Sequence, residues 1–551
     1  MMMQSAIEYD WFARRAVYSP LTIALKEAES GRALTYSALN DAANAAAMRL
    51  QSECSVKLGD RVAILAENSL EHIILLGAAQ KLGFTLVPLN FRLTAAELDV
   101  VLSDSAPRVV LVEEKYRHVL ENVASVRSVS KILSLTEWFA EAVQRVPEHF
   151  FSLIPTLLPE VEGQDIEPSS ESSPFGRGQG EGSQMNFQIL SQPQQASGTE
   201  AHITPDLPLL LLYTSGTTGV PKGAIYSHQM LFWNSMNTGM SWDLTSEDRT
   251  VDCLPLFHTG GWNVLLTPLL HRGGTTILMK KFDANVVLRL LEEERCTLFM
   301  GVPTVLQMLA SSPEFPKTDL SAMRYVVAGG EPMPLPLIET WQQRGIAVRQ
   351  GYGLTEVGPN IFSLHQADAM RKIGSIGRPN FYVQARLVDD NGNDVGTNEA
   401  GELIVRGPMV TPGYWQKPEA TRDAFREGGW FCTGDIARRD DEGYYYITDR
   451  KKNMYISGGE NVYPAEVERV LYTHEAVAEA AVIGVPDAQW GEVGKAFVVL
   501  KSPQNASNLD AEAVRRFCRE RLAAYKVPKC VEFLEELPKN DAGKINKKIL
   551  R

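Results

Sequence analysis

Apolar and polar positions alternate in blocks along the first 115 residues, and each block reads as one element. After Thr35 an Ala-rich apolar face predicts a helix over 33–52. The segment 60–68, DRVAILAEN, is a short apolar run closed by polar residues, the pattern of a buried strand leading into a turn. Residues 69–83 predict a helix stopped by Gly83. Residues 85–90 predict a strand, 94–105 a helix and 107–114 a strand. Strands alternating with helices build β-α units and a mainly parallel sheet. The same alternation is expected as far as residue 447.

The pattern breaks once. From about Pro159 to Pro205 the chain is rich in Ser, Gln, Gly, Glu and Pro. Such a segment buries too little apolar area to offset the entropy of ordering it, so 160–205 is expected to be a disordered surface insertion. Order is expected again at LPLLLLYTSG, 207–216, a buried strand running into a turn. Near the end, 444–464 reads as a strand, a charged turn and a Gly-Gly loop. A helix follows, with Pro464 in its first turn and Val467, Val470 and Leu471 as its apolar stripe. Strands at 476–485 and 495–501 and a helix over 510–524 complete a small α+β unit. The expected fold is α/β. A large N-terminal domain of mainly parallel sheets with flanking helices (1–448) meets a hinge (449–453) and a small C-terminal α+β domain (454–551).

Composition excludes several classes. The 551 residues are 44% hydrophobic and 22% charged, as in an ordinary soluble globular protein. With 67 acidic against 54 basic residues the net charge is −13, the wrong sign for a general nucleic-acid binder. The six cysteines are dispersed without a C-x-x-C pair, which points to a reducing, cytoplasmic setting. The start, Met1 to Asp10, lacks the basic-then-apolar pattern of a leader. The most apolar stretch, 72–91, is broken by Gln80 and Lys81, so no membrane span is expected. A homodimer is compatible with the sequence, which does not decide the oligomeric state.

The chemistry concentrates in Tyr213-Thr-Ser-Gly-Thr-Thr-Gly-Val-Pro-Lys-Gly223. Thr214, Ser215, Thr217 and Thr218 offer hydroxyls, Gly216 and Gly219 allow close backbone approach, and Lys222 adds a mobile positive charge. That set suits phosphate binding. It is not a P-loop. Counting from Gly216, Pro221 stands where the second Gly belongs and Gly223 where Ser or Thr belongs.

This string resembles the signature of the adenylate-forming superfamily, most of all bacterial fatty-acyl-CoA synthetases, and the likeness runs from about residue 10 to the C-terminus outside the insertion. It implies a two-step reaction. A carboxylate attacks the α-phosphate of Mg-ATP to give acyl-AMP and pyrophosphate, and the thiol of coenzyme A then displaces AMP. The small domain swings between the steps. QGYGLTE, 350–356, is similar to the second family motif. By that likeness Thr355 bonds the α-phosphate, Glu356 holds Mg²⁺ together with Thr214, and Tyr352, between Gly351 and Gly353, stacks on adenine. VAGGEPMP, 327–334, resembles the adenine-side loop, with Gly329 and Gly330 admitting the base edge and Glu331 at the rim. WFCTGD and TDRKKN supply Asp435 and Arg450 near the ribose, and Lys452 matches the hinge. Gly458 and Gly459 match the coenzyme A channel, and Lys544 the C-terminal catalytic lysine, offsetting charge that develops as the carboxylate attacks phosphorus.

PLFHTGGWN, 255–263, matches the region beside the acyl pocket. There His258 corresponds to a residue near the incoming carboxylate. Trp262 is bulky where many relatives are smaller, an arrangement expected to shorten or reshape the pocket in favour of short or medium acids. The resemblance implies a fatty acid first, with an aromatic or biosynthetic acid such as succinylbenzoate as the alternative. A carrier protein as acceptor is the other alternative. The sequence ends seven residues beyond Lys544, so no fused carrier domain is expected. A catalytically dead relative would have lost Glu356, Asp435, Arg450 or Lys544, and all four are present.

Overall fold

The computed structural model describes residues 9–144, 203–214, 221–330, 333–451, 453–457, 460–487, 489–501, 509–539 and 545–550. The early elements form where the pattern places them, each with a local reason. The helix Tyr36–Cys54 starts at Thr35, whose side chain accepts the Ala38 N–H. Leu70–Leu82 ends at Gly83 with φ +78°. Ala95–Ser105 opens on a capping box, Thr94 with Glu97.

Among the described residues two large sheets organise the chain. One has six strands, of which Lys131–Ser134, Val109–Val112, Arg61–Leu65, Thr85–Pro88 and Pro208–Thr214 run parallel in that order. Lys222–Ser227 closes it as the antiparallel arm of a hairpin with Pro208–Thr214. The other has nine strands. Its parallel centre runs Ala347–Tyr352, Tyr325–Ala328, Leu298–Gly301, Arg249–Asp252, Thr275–Leu278 and Ile23–Glu27. Leu25 and Leu278 of the nine-stranded sheet join Ile64, Leu86 and Leu210 of the six-stranded one in one core, with Ala43 and Ile73 from the two long helices packed into it. Strands buried on both faces read as continuous apolar runs, which is why they were legible.

The expected alternation stops near residue 352 rather than 447. Beyond it Phe362–Leu364 and Arg378–Pro379 add to the nine-stranded sheet antiparallel. The strands Gln384–Val388, Gly401–Arg406, Phe425–Arg426, Trp430–Arg439 and Tyr445–Arg450 form a separate antiparallel sheet. One short connection shows why: residues 440–444, turning at Gly443 with positive φ, join Trp430–Arg439 to Tyr445–Arg450, and a turn of a few residues joins antiparallel neighbours, whereas parallel strands need a long crossover.

The C-terminal part is α+β. Val477–Asp487 pairs antiparallel with Gly491–Leu500, which is flanked by Tyr455–Ser457 and, in parallel, Cys530–Phe533. Val467 and Leu471 of the helix Pro464–Tyr472 pack on it, with Val514 and Cys518 of Ala511–Arg519. That last helix is shorter than the expected 510–524; a 3₁₀ turn, Ala524–Lys526, follows it. The two parts meet at Asp449, whose Oδ2 accepts the Ala465 N–H at 2.7 Å. Most of 160–205 lies outside the described residues. Ile203 is buried, and the Pro205 carbonyl accepts the Gln229 N–H at 2.9 Å.

Candidate active site

Open α/β sheets bind ligands at the carboxyl ends of their parallel strands. Ala328 pairs with Gln350 in the nine-stranded sheet, so Gly329–Gly330 and Gly351–Tyr352 leave its edge side by side. A Cβ on Gly329 would lie 3.4 Å from the Gly351 carbonyl oxygen, which leaves the two loops in near contact. At Gly353 a Cβ would fall 2.4 Å from the Pro359 carbonyl oxygen, so the tight return of this loop requires glycine.

Two clusters grow from these ends. In the first, the Tyr352 hydroxyl donates to Asp435 Oδ2 at 2.5 Å, and Arg450 Nε pairs with Asp435 Oδ1 at 2.9 Å. The sheet sets that pair, because Asp435 and Arg450 are register partners on adjacent strands. Asp435 is buried. Burial, with the carboxylate beside it, holds the Tyr352 phenol well above its usual range, so it stays a donor. Its ring meets Phe362 edge to face at 5.8 Å.

In the second cluster, Glu356 Oε1 accepts the Tyr414 hydroxyl at 2.9 Å, and the Lys222 ammonium lies 5.3 Å from the Tyr414 ring centroid. Thr214 and Lys222 are register partners on the two arms of the hairpin that Pro208–Thr214 makes with Lys222–Ser227. The segment 411–415 braces this hairpin against the Glu356 turn. Thr411 donates its N–H to the Glu356 carbonyl at 2.7 Å and its hydroxyl to the Ile225 carbonyl at 2.7 Å. Thr355 opens the 3₁₀ turn Thr355–Val357. No group of three or more His, Cys, Asp or Glu side chains able to hold a metal occurs among the described residues. One carboxylate, Glu356, and one hydroxyl, Thr214, are a donor set that suits Mg²⁺, which takes few protein oxygens when phosphates supply the rest.

The third wall is the loop carrying His258. Buried Asn68 fixes it, donating to the Leu254 and Met279 carbonyls at 2.8 and 3.1 Å and accepting the Leu256 N–H at 2.9 Å. Gly261 is required there, since a Cβ would lie 2.7 Å from both the Leu254 and Pro255 carbonyl oxygens. Asn234 and Asn360 both donate to the Asn263 carbonyl, at 2.8 and 3.3 Å, which ties this loop to the one after Glu356. His258 stands at the start of the short helix Thr259–Asn263, its ring 4.6 Å from that of Phe257. Trp262 is fully buried in the core between the two large sheets, and its indole N–H donates to the Leu256 carbonyl.

The fold thus gathers Thr214, Lys222, Gly329, Gly330, Gly351, Tyr352, Gly353, Thr355, Glu356, Asp435 and Arg450. Ser215, Gly216, Thr217, Thr218, Gly219, Glu331, Lys452, Gly458, Gly459 and Lys544 lie outside the described residues. The sequence reading missed Tyr414, Asn68, Asn234 and Asn360. Nothing local marks the asparagines as a set: Asn68 lies between Glu67 and Ser69, and Asn234 between Trp233 and Ser235. Nothing local marks Tyr414.

Comparison with known proteins bears out the resemblance read from YTSGTTGVPKG. Residues 12–415 match the AMP-binding enzyme family and residues 466–544 the AMP-binding enzyme C-terminal domain. A feruloyl-CoA synthase from Amycolatopsis sp is 40% identical over 543 residues, 98% of this chain and 97% of that protein. An indoleacetate–CoA ligase of Aromatoleum aromaticum and a long-chain-fatty-acid–CoA ligase of Mycobacterium tuberculosis are each 36% identical, over the same shares of both chains. Among solved structures, ATP-bound MatB from Rhodopseudomonas palustris superposes with a TM-score of 0.81 at 31% identity, covering 98% of both chains. An o-succinylbenzoate CoA synthetase from Bacillus subtilis, in complex with its acyl-adenylate, gives 0.78 at 31% identity and the same coverage. No helix among the described residues is long and apolar enough to cross a membrane. This chain belongs to the AMP-binding enzyme family and is an AMP-forming acid–thiol ligase.

Proposed function

We propose that the chain joins an aromatic carboxylic acid to coenzyme A through an enzyme-bound acyl-AMP, releasing pyrophosphate and then AMP. One arrangement carries the reading: a ribose-type cluster, Tyr352–Asp435–Arg450, and a phosphate-type cluster, Lys222–Tyr414–Glu356, are both anchored on the segment 352–356 that leaves the nine-stranded sheet. Asp435 accepts from the ribose hydroxyls, and Arg450 keeps that carboxylate oriented. Lys222 and the 215–220 hydroxyls hold the β- and γ-phosphates, and Thr355 the α-phosphate. Glu356 and Thr214 would hold Mg²⁺, which would supply charge neutralisation for the triphosphate. His258 lies beside the incoming carboxylate. Lys544 offsets the charge that develops at phosphorus. Gly458 and Gly459 admit the pantetheine, and Lys452 is the hinge between half-reactions. An aromatic acid is placed ahead of the fatty acid because the feruloyl-CoA synthase shares 40% identity with this chain and the fatty-acid ligase 36%.

The test is carboxylate-dependent pyrophosphate release with Mg-ATP over aromatic and fatty acids, with and without coenzyme A, and mass spectrometry of products. Aryl-CoA thioester is the expected product. Acyl-AMP accumulating despite coenzyme A would point to a carrier-protein acceptor, and a fatty acyl-CoA would restore the fatty-acid reading. Lys544→Ala is expected to cut adenylate formation by about 100-fold or more, while thioester formation from supplied acyl-AMP changes far less. Equal loss in both half-reactions would refute that role.

A further inference from the structure

One carboxyl at the same sheet edge takes no part in either cluster. Asp252 ends the strand Arg249–Asp252, just before the loop that carries His258. It is buried, and no ion pair among the described residues includes it. Its Oδ1 accepts the Leu254 N–H at 3.0 Å. Its Oδ2 is shut off from solvent and has no hydrogen-bond partner among the described residues. Buried polar atoms in native proteins are nearly always paired, so an unpaired one asks for an explanation. Burial pushes the Asp252 carboxyl up to about 8, against the pull of the Leu254 N–H. At neutral pH it therefore carries its proton, and with Oδ1 accepting, Oδ2 is the oxygen that can donate.

Asp252 borders a void of about 10 Å³, room for one water, with Thr250, Leu254, Gly260, Leu265 and Met300. That void has a defined position in the site. Gly260 belongs to the His258 loop. Met300 reaches the other side, where its Cε is 3.4 Å from the place a Gly329 Cβ would occupy. The void therefore lies between the His258 loop and the glycine loop beside Tyr352. A group larger than water needs added room beside Gly260 and a shift of Met300. A Cβ on Gly260 would meet only Leu254 Cδ1 at 3.7 Å, and Met is an unbranched side chain that repacks readily.

We propose that Asp252 is a specificity-determining residue whose carboxyl hydrogen-bonds a hydroxyl on the acyl group of the substrate, in the space between Gly260 and Met300. The proposal rests on the reading of the chain as an acid-activating ligase and narrows its substrate to hydroxylated aromatic acids. An apolar acyl group would leave Oδ2 unpaired in the complex, and a site built to bond a hydroxyl discriminates strongly against the analogue that lacks it. A merely structural Asp252, shaping the turn at Leu254, would affect all acids alike.

The experiment compares kcat/KM for pyrophosphate release with cinnamate and its 2-, 3- and 4-hydroxy derivatives, and with octanoate and palmitate, in the wild type, Asp252→Asn and Asp252→Leu. The wild type is expected to prefer at least one hydroxycinnamate over cinnamate by roughly 10–100-fold. Asp252→Leu should bring that ratio near one by losing the hydroxylated acid while cinnamate holds. Asp252→Asn, which keeps the shape and an N–H donor, should retain most of the preference. Equal use of cinnamate and all its hydroxy derivatives by the wild type overturns the proposal and leaves the ligase reading intact. So does an equal loss on all acids in Asp252→Leu, or a preference for the fatty acids. Release with no acid at all overturns both.

Discussion

Asp435 shows how much a single buried carboxylate depends on its two neighbours. Arg450 holds one oxygen by charge, and the Tyr352 hydroxyl holds the other at 2.5 Å. Tyr352→Phe keeps the ring and removes that second bond. A hydrogen bond to a charged group contributes about 1.5–3 kcal/mol. If Asp435 presents itself to ribose, KM for ATP should rise by roughly 10-fold or more with kcat changing less. Pyrophosphate release at varied ATP would measure it, and an unchanged KM would remove Asp435 from the nucleotide site. At this scale the sequence was legible where a motif carried the residue, as with Asp435 and Glu356. It was silent on groups singled out only by a missing partner. Asp252 is one more Asp in the string RTVDCLP, and only the assembled fold shows that its Oδ2 has no partner among the described residues.

Elements were read well when their boundaries had local causes. Thr35, Gly83 and Thr94 are start and stop signals that act through neighbours a few residues away. The antiparallel sheet between Gln384 and Arg450 was not read. Two of its strands are long or buried, Trp430–Arg439 and Gly401–Arg406, but neither is marked by a local signal that tells antiparallel neighbours from β-α units. The brace at 411–415 escaped for a similar reason: its partners, Ile225 and Glu356, are distant in sequence. That brace makes the hairpin and the Glu356 turn one mechanical unit. Tyr414→Phe leaves the backbone bonds of the brace in place and frees Glu356 Oε1. Adenylate formation is expected to slow by about 10-fold, in line with one lost hydrogen bond to a charged group. The Mg²⁺ concentration needed for half-maximal rate should rise with it, because a freed carboxylate is less well aimed. A rate loss without that Mg²⁺ shift would mean that Tyr414 acts on Lys222 instead.

Across the whole molecule, buried titratable groups pull stability in opposite directions and so define a working pH. Desolvation lowers His72 to about 3, His228 to about 4 and His271 to about 3, the last helped by Arg15 and Arg272. In the unfolded chain each takes up a proton near 6.5. Below that pH the unfolded state binds more protons, so stability falls as pH falls from about 6.5 toward 4. Asp252 has the opposite sign. Unfolded, it loses its proton near 4, while the fold keeps it to about 8, so its contribution to stability falls as pH rises through that window. Glu468, raised by burial against the pull of Lys547, acts in the same sense as Asp252. Three histidines outweigh the acids on the low side, giving a net slope of up to about 2–3 kcal/mol per pH unit below 6, at 1.36 kcal/mol per proton. Above 6.5 the histidines drop out and Asp252 remains. The midpoint of urea unfolding should therefore peak near pH 6.5. In Asp252→Asn the decline between pH 6.5 and 8 should flatten, while the acid limb keeps its histidine-driven form. If the variant's profile matches the wild type on the alkaline side, Asp252 is already ionised in the fold, and its Oδ2 has no proton to give a substrate hydroxyl.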